Sequence, residues 1–113
     1  MKELIGDECY ISLDSDNYVL FYFTASWCGP CQRILPDLID LEKKIKSQID
    51  VYKIDIDEDD NNELCEKCIV KSVPSFLLFK KRNCIDRVHG AKIEPLEKMI
   101  LNVLEKENKN KDS

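Results

Sequence analysis

A chain of 113 residues, 43% hydrophobic and with a net charge of −5, is long enough to bury a core of its own and reads as one domain. Its 17 basic residues are scattered, so no basic stripe selects nucleic acid or an anionic membrane, and no run approaches the roughly 18 apolar residues of a membrane helix. The charged segment Met1 to Asp7 holds no apolar stretch of signal-peptide length, so a cytoplasmic location is expected.

In chain order, Lys2 to Ile5 is a short strand candidate, and Asp7 is placed to cap a short helix that turns Cys9, Tyr10 and Leu13 inward. Tyr18 to Phe23 is a near-continuous β-favouring apolar run, the signature of a strand covered on both faces, and is expected to be central. Trp27, Cys28, Gly29, Pro30 and Cys31 follow. From Cys31 the pattern becomes helical, with Ile34, Leu38, Leu41 and Ile45 at i, i+4, i+7 and i+11. Pro36 removes a backbone donor inside this helix and should kink it. Val51 to Asp57 alternates Tyr52, Ile54 and Ile56 with polar residues, as a strand does. Strand, helix and strand make a crossover with parallel strands, which puts the helix N-terminus at the carboxyl edge of the sheet.

The acidic stretch Asp55 to Glu63 suits the positive end of a helix over Asn61 to Ile69, and it lacks the glycine and the twelfth-position glutamate of a calcium loop. Ser75 to Phe79 and Cys84 to His89 are strands joined by a short polar turn, which favours an antiparallel hairpin. The last helix carries Pro95 in its first turn and a stripe of Leu96, Met99, Ile100, Val103 and Leu104. A domain over residues 1–105 is therefore expected, followed by a disordered tail over 106–113, which holds only Glu, Asn, Lys, Asp and Ser.

The chemistry sits at Cys28 and Cys31. A helix start carries unpartnered N–H groups and partial positive charge, which favour a thiolate over a thiol. The thiolate is the nucleophile of disulfide exchange. Two thiols two residues apart can act in turn, one forming a mixed disulfide and the other displacing it, with no cofactor. This points to a dithiol–disulfide oxidoreductase. A secreted disulfide framework is the other reading of six cysteines, but the core is sufficient without staples and glycine is sparse. Cys65 and Cys68 form a second Cys-x-x-Cys inside a helix, where the dipole argument does not apply. Cys68 fits a core thiol and Cys65 a candidate for a regulatory disulfide. A zinc module on Cys28, Cys31, Cys65 and Cys68 would need ligand pairs much further apart than ribbon spacing allows, so no metal is expected. Cys9 and Cys84 carry no functional signal, and His89, the only histidine, reads as a surface residue at a strand end.

Five features in order, Trp27-Cys28-Gly29-Pro30-Cys31, Pro36, Lys53, Val73-Pro74 and Gly90-Ala91, resemble the thioredoxin family over nearly the whole chain. The resemblance implies an α/β fold, a central mixed sheet of four to five strands flanked by about four helices. It implies that Cys28 attacks the substrate disulfide and Cys31 resolves it, with Trp27, Gly29, Pro30, Tyr22 and Lys53 tuning the thiols. It also implies a cis bond at Val73-Pro74 facing the dithiol, and a groove of Trp27, Val73, Pro74, Gly90 and Ala91 in which an extended substrate pairs with Val73. Protein disulfides are the implied substrates and an NADPH-dependent thioredoxin reductase the implied electron donor, with the chain a monomer.

One departure stands out. The family usually carries a buried aspartate where this chain has Tyr22, and a tyrosine is no carboxylate base near neutral pH. Deprotonation of Cys31 is then expected to use water, ordered by Tyr22 or Lys53. The substitution keeps open a specialised thioredoxin-like protein or a disulfide isomerase, with a non-catalytic binding scaffold more remote.

Overall fold

Tyr18–Thr24 forms β2, and every residue of it except Tyr18 is buried. The computed structural model describes residues 1–111. Around β2 a five-stranded sheet runs in the order β1 (Lys2–Glu3), β3 (Ile49–Asp55), β2, β4 (Ser75–Lys80), β5 (Asn83–His89), so the strand expected to be central is central. Lys2–Glu3 (β1) and Ile49–Asp55 (β3) are parallel neighbours, and β3 is parallel to β2. Ser75–Lys80 (β4) is antiparallel to β2, and Asn83–His89 (β5) is antiparallel to β4, as a hairpin requires.

The helices divide between the two faces. Gly29–Ile45 (α2) and Ile93–Lys111 (α4) cover one face, where Leu20, Tyr22, Phe76 and Leu78 meet Cys31, Ile34, Leu38, Leu96 and Met99. Asp7–Ser12 (α1) and Asn62–Lys67 (α3) cover the other, where Val19, Phe21, Phe23 and Leu77 meet Cys9, Leu13 and Leu64. Alternate residues of β2 thus feed two separate cores, as the period of two along a strand demands.

Several boundaries differ from the sequence expectation. Helix α1 is capped by Gly6, at φ +63°, and not by Asp7, which lies in the first turn. The Gly6 N–H is taken up instead by Asn61 Oδ1 at 2.8 Å. Helix α3 is shorter than Asn61 to Ile69, because residues 59–61 form a 3₁₀ turn and Ile69, at φ +54°, ends the helix. Helix α4 continues to Lys111, so the polar segment from Lys106, read from composition as a disordered tail, is helical that far. Its lysines and glutamates are good helix formers, and the buried stripe of Leu96, Met99 and Ile100 anchors the helix they extend. Residues 112 and 113 of that expected tail lie outside the described residues. Among the described residues no helix is long and apolar enough to cross a membrane.

Candidate active site

The carboxyl end of β2 delivers the chain directly into α2. The helix begins at Gly29, two residues earlier than periodicity suggested, which makes Cys28 its N-cap. With φ −85° and ψ 103°, Cys28 is extended, and its Sγ accepts the Cys31 N–H at 3.2 Å, as a capping side chain does. Gly29 and Pro30 fill the first two helical positions; both are exposed, and a proline there sacrifices no helical hydrogen bond. Cys28 and Cys31 are joined as a disulfide with Cα atoms 5.3 Å apart. Cys31 is 0% exposed and Cys28 4%, so only Cys28 touches the surface.

Trp27 is 68% exposed beside them, and its Nε1–H donates to Asp57 Oδ2 at 2.7 Å. Asp57 lies in the acidic stretch that suggested only a helix start. Its pairing with Trp27 was hidden because the two are brought together by the parallel alignment of β2 with β3.

Across the dithiol, the Val73-Pro74 bond is cis, as the resemblance implied, and the Val73 carbonyl oxygen is 3.7 Å from Cys28 Sγ. Pro74 is buried and Val73 half-buried. The Gly90 N–H donates to the Pro74 carbonyl at 3.0 Å, which brings Gly90 and Ala91 alongside the same segment. Gly90 sits at φ +97°, a conformation for which glycine is favoured. Val73 thus lies against the Cys28 sulfur, and the Gly90–Pro74 hydrogen bond links the loop before α4 to the cis segment.

Beneath the dithiol, Tyr22 is fully buried, stacked on Phe76 with ring centroids 5.3 Å apart, and its hydroxyl donates to the Cys31 carbonyl oxygen at 2.8 Å. Burial pushes the phenol pKa up. Lys53 pairs with Tyr22 in the sheet register, and its ammonium faces Glu3 at 3.5 Å. Thr24 lines a cavity with Gln32, Lys53 and Asp55, and its buried hydroxyl has no hydrogen-bond partner among the described residues.

The other cysteines stand apart from this site. Cys9 is buried, and Cys65 and Cys68 pack against the same core on the α1–α3 face, opposite the face that holds Cys28 and Cys31. The sheet separates the two Cys-x-x-Cys pairs, so the four thiols do not converge as zinc ligands. Burial raises the thiol pKa of Cys65, and pushes those of Cys9 and Cys68 up to about 11. Cys84 is exposed on the edge strand. His89 is exposed, as expected, but its Nδ1 also lies 2.9 Å from the hydroxyl of the buried Ser75, a contact that no sequence pattern announced.

Comparison with known proteins agrees with this geometry. Residues 8–102 match the family model described as Thioredoxin. The chain is 40% identical over 86 residues to a thioredoxin of Geodia cydonium, covering 75% of this chain and 78% of that protein. It is 38% identical over 94 residues to a thioredoxin of Oryctolagus cuniculus, covering 81% and 87%. Among solved structures, Fasciola hepatica thioredoxin superposes with a TM-score of 0.80 at 30% identity, covering 90% of this chain and 98% of that one. With the fold, the capped dithiol and these relatives in agreement, the chain belongs to the thioredoxin family and is a thiol–disulfide oxidoreductase.

Proposed function

We propose that this protein is a carrier of reducing equivalents to protein disulfides, with Cys28 attacking and Cys31 resolving. The observation that carries the assignment is the N-cap position of Cys28. Its sulfur receives the Cys31 N–H at the positive end of a 17-residue helix, while Cys31 is enclosed. The Cys28 thiolate attacks one sulfur of a substrate disulfide, that bond breaks, and the other sulfur leaves as a thiolate. The Cys31 thiolate then attacks Cys28 Sγ, forming the Cys28–Cys31 disulfide and releasing the second substrate sulfur. Two electrons pass to the substrate, whose two thiolates take up protons.

The groove of Trp27, Val73, Pro74, Gly90 and Ala91 receives the polypeptide on either side of the substrate cysteine. Tyr22 is no base in this scheme, since burial holds it as a neutral phenol whose proton is committed to the Cys31 carbonyl. With no carboxylate at this position, water is the acceptor for the Cys31 proton. An NADPH-dependent thioredoxin reductase returns the dithiol to its reduced form, in the cytoplasm, with the protein acting as a monomer.

The test is NADPH-dependent insulin reduction with thioredoxin reductase. The unaltered protein should turn over, Cys28→Ser should be inactive, and Cys31→Ser should stop at a trappable mixed disulfide. Full activity in Cys28→Ser would overturn the assignment.

A further inference from the structure

Cys68 and Cys84 take no part in the active site, and one irregularity in the sheet brings them to the same side of the molecule. Strand β5 pairs Arg87 with Leu77 and Cys84 with Phe79, and the register slips between Leu78 and Phe79. Cys84 and Arg87 are three residues apart, so on a regular strand their side chains would take opposite faces. The slip inserts one extra residue into β5 and puts both on the face of their partners. Leu77 and Phe79 belong to the core against which Cys68, at the C-cap of α3, also packs.

Arg87 fastens the end of α3 to this strand. Its Nη2 donates to the Cys68 carbonyl oxygen at 2.8 Å and its Nη1 to that of Ile69 at 3.5 Å. After burial, the largest influence on the Cys68 thiol is a charge on Cys84, which raises it, ahead of Arg87, which lowers it, and of Cys65, which raises it. Cys84 is exposed and therefore the thiol that an oxidant meets, whereas Cys68 is half-buried and suited to react second. Both stand where backbone can shift. Cys68 ends a six-residue helix just before Ile69 at φ +54°, and Cys84 lies beside the bulge of an edge strand.

We propose that Cys84 and Cys68 form a second oxidisable dithiol, which a hydroperoxide converts to a disulfide joining the edge strand to α3. The Cys84 thiolate attacks the terminal peroxide oxygen, the O–O bond breaks, and the alkoxide leaves and takes up a proton, so that Cys84 becomes a sulfenic acid. The Cys68 sulfur then attacks Cys84 Sγ, the S–O bond breaks, and hydroxide leaves as water with the Cys68 proton. The two thiols have lost two electrons and two protons, and the hydroperoxide has become an alcohol and water. Once Cys84 is an uncharged sulfenic acid, its repulsion of a Cys68 thiolate is gone and the attraction of Arg87 remains, so the first step favours the second. The pair is independent of Cys28 and Cys31, which pack on the other face of the sheet.

The experiment treats dilute, reduced full-length protein with cumene hydroperoxide, alkylates the remaining thiols with iodoacetamide and maps tryptic peptides without reduction. Trypsin cuts after Lys67, Lys71, Arg82 and Arg87, so Cys65, Cys68 and Cys84 fall on three different peptides. The expected product is residues 68–71 linked to residues 83–87, two hydrogens lighter than their sum, with a near-complete loss of iodoacetamide label at Cys84 that dithiothreitol reverses. In Cys68→Ser the Cys84 sulfenic acid should persist and be trapped by dimedone, in Cys84→Ser Cys68 should stay reduced, and Cys28→Ser should still form the link. A Cys84 that remains a thiol, a Cys65–Cys68 bond in its place, a Cys84–Cys84 dimer, or loss of the link in Cys28→Ser overturns the proposal.

Discussion

The Tyr22 hydroxyl reaches across the buried interface between β2 and α2 and donates to the Cys31 carbonyl oxygen at 2.8 Å. That carbonyl belongs to the first turn of the helix capped by Cys28, so the bond ties the dithiol turn to the central strand. Tyr22→Phe keeps the ring stacked on Phe76 and removes this hydrogen bond, while the carbonyl keeps its partner within the helix. A loss of about 1 kcal/mol is expected, measured as a lower urea midpoint with an unchanged slope.

The thiols outside the active site should be slow nucleophiles. Burial holds Cys9 and Cys68 near 11 and raises Cys65, so at about pH 8 these three are thiols, whereas Cys84 is exposed and Cys28 lies at a helix start. Brief iodoacetamide treatment of the reduced protein, mapped by mass spectrometry, should label Cys28 and Cys84 and leave Cys9, Cys65 and Cys68 unmodified. The same shifts predict a stability trend. A thiol whose folded pKa exceeds its unfolded value stabilises the fold below the unfolded pKa, and that contribution is lost as the pH rises toward the folded one. Urea midpoints should therefore fall between about pH 9 and pH 11.

Trp27, next to Cys28 in the chain, is held by one exposed hydrogen bond to Asp57. Asp57→Ala frees the indole while touching nothing buried, so the melting temperature should move little. Reduction of insulin should slow several-fold, and the fluorescence anisotropy of the single tryptophan should drop, reporting the released ring.

Two left-handed positions should respond in opposite directions. Ile69 is 60% exposed at φ +54°, a conformation that costs an L-residue about 1–2 kcal/mol, so Ile69→Gly should raise stability by about 1 kcal/mol. Gly90 is at φ +97°, and a Cβ there would meet no atom within 4 Å. Any loss in Gly90→Ala is therefore backbone strain alone, about 1–2 kcal/mol by denaturant titration.

Much of the fold was legible because it is local. The all-apolar run of β2 requires cover on both faces, the heptad-like stripes of α2 and α4 require a core on one, and a four-residue polar turn leaves β4 and β5 little choice but a hairpin. Where the local signal misled, a neighbouring interaction decided. Asn61, bonded to Gly6, shifts the starts of α1 and α3, and the apolar stripe of α4 carries helix into a segment whose composition alone suggested none.

By itself the sequence determined the dithiol chemistry and its setting, since a strand–Cys-x-x-Cys–helix order forces the thiols onto a helix start whatever the rest of the chain does. Only the tertiary structure decided what surrounds them. The meeting of Trp27 with Asp57, of Tyr22 with the Cys31 carbonyl and of Ser75 with His89, and the sheet lying between the two cysteine pairs, all follow from strand register and from which face each side chain takes. Register is set by the packing of two cores at once, so a pairing between β2 and β3 or between β4 and β5 exists only after residues far apart in the chain have been brought side by side.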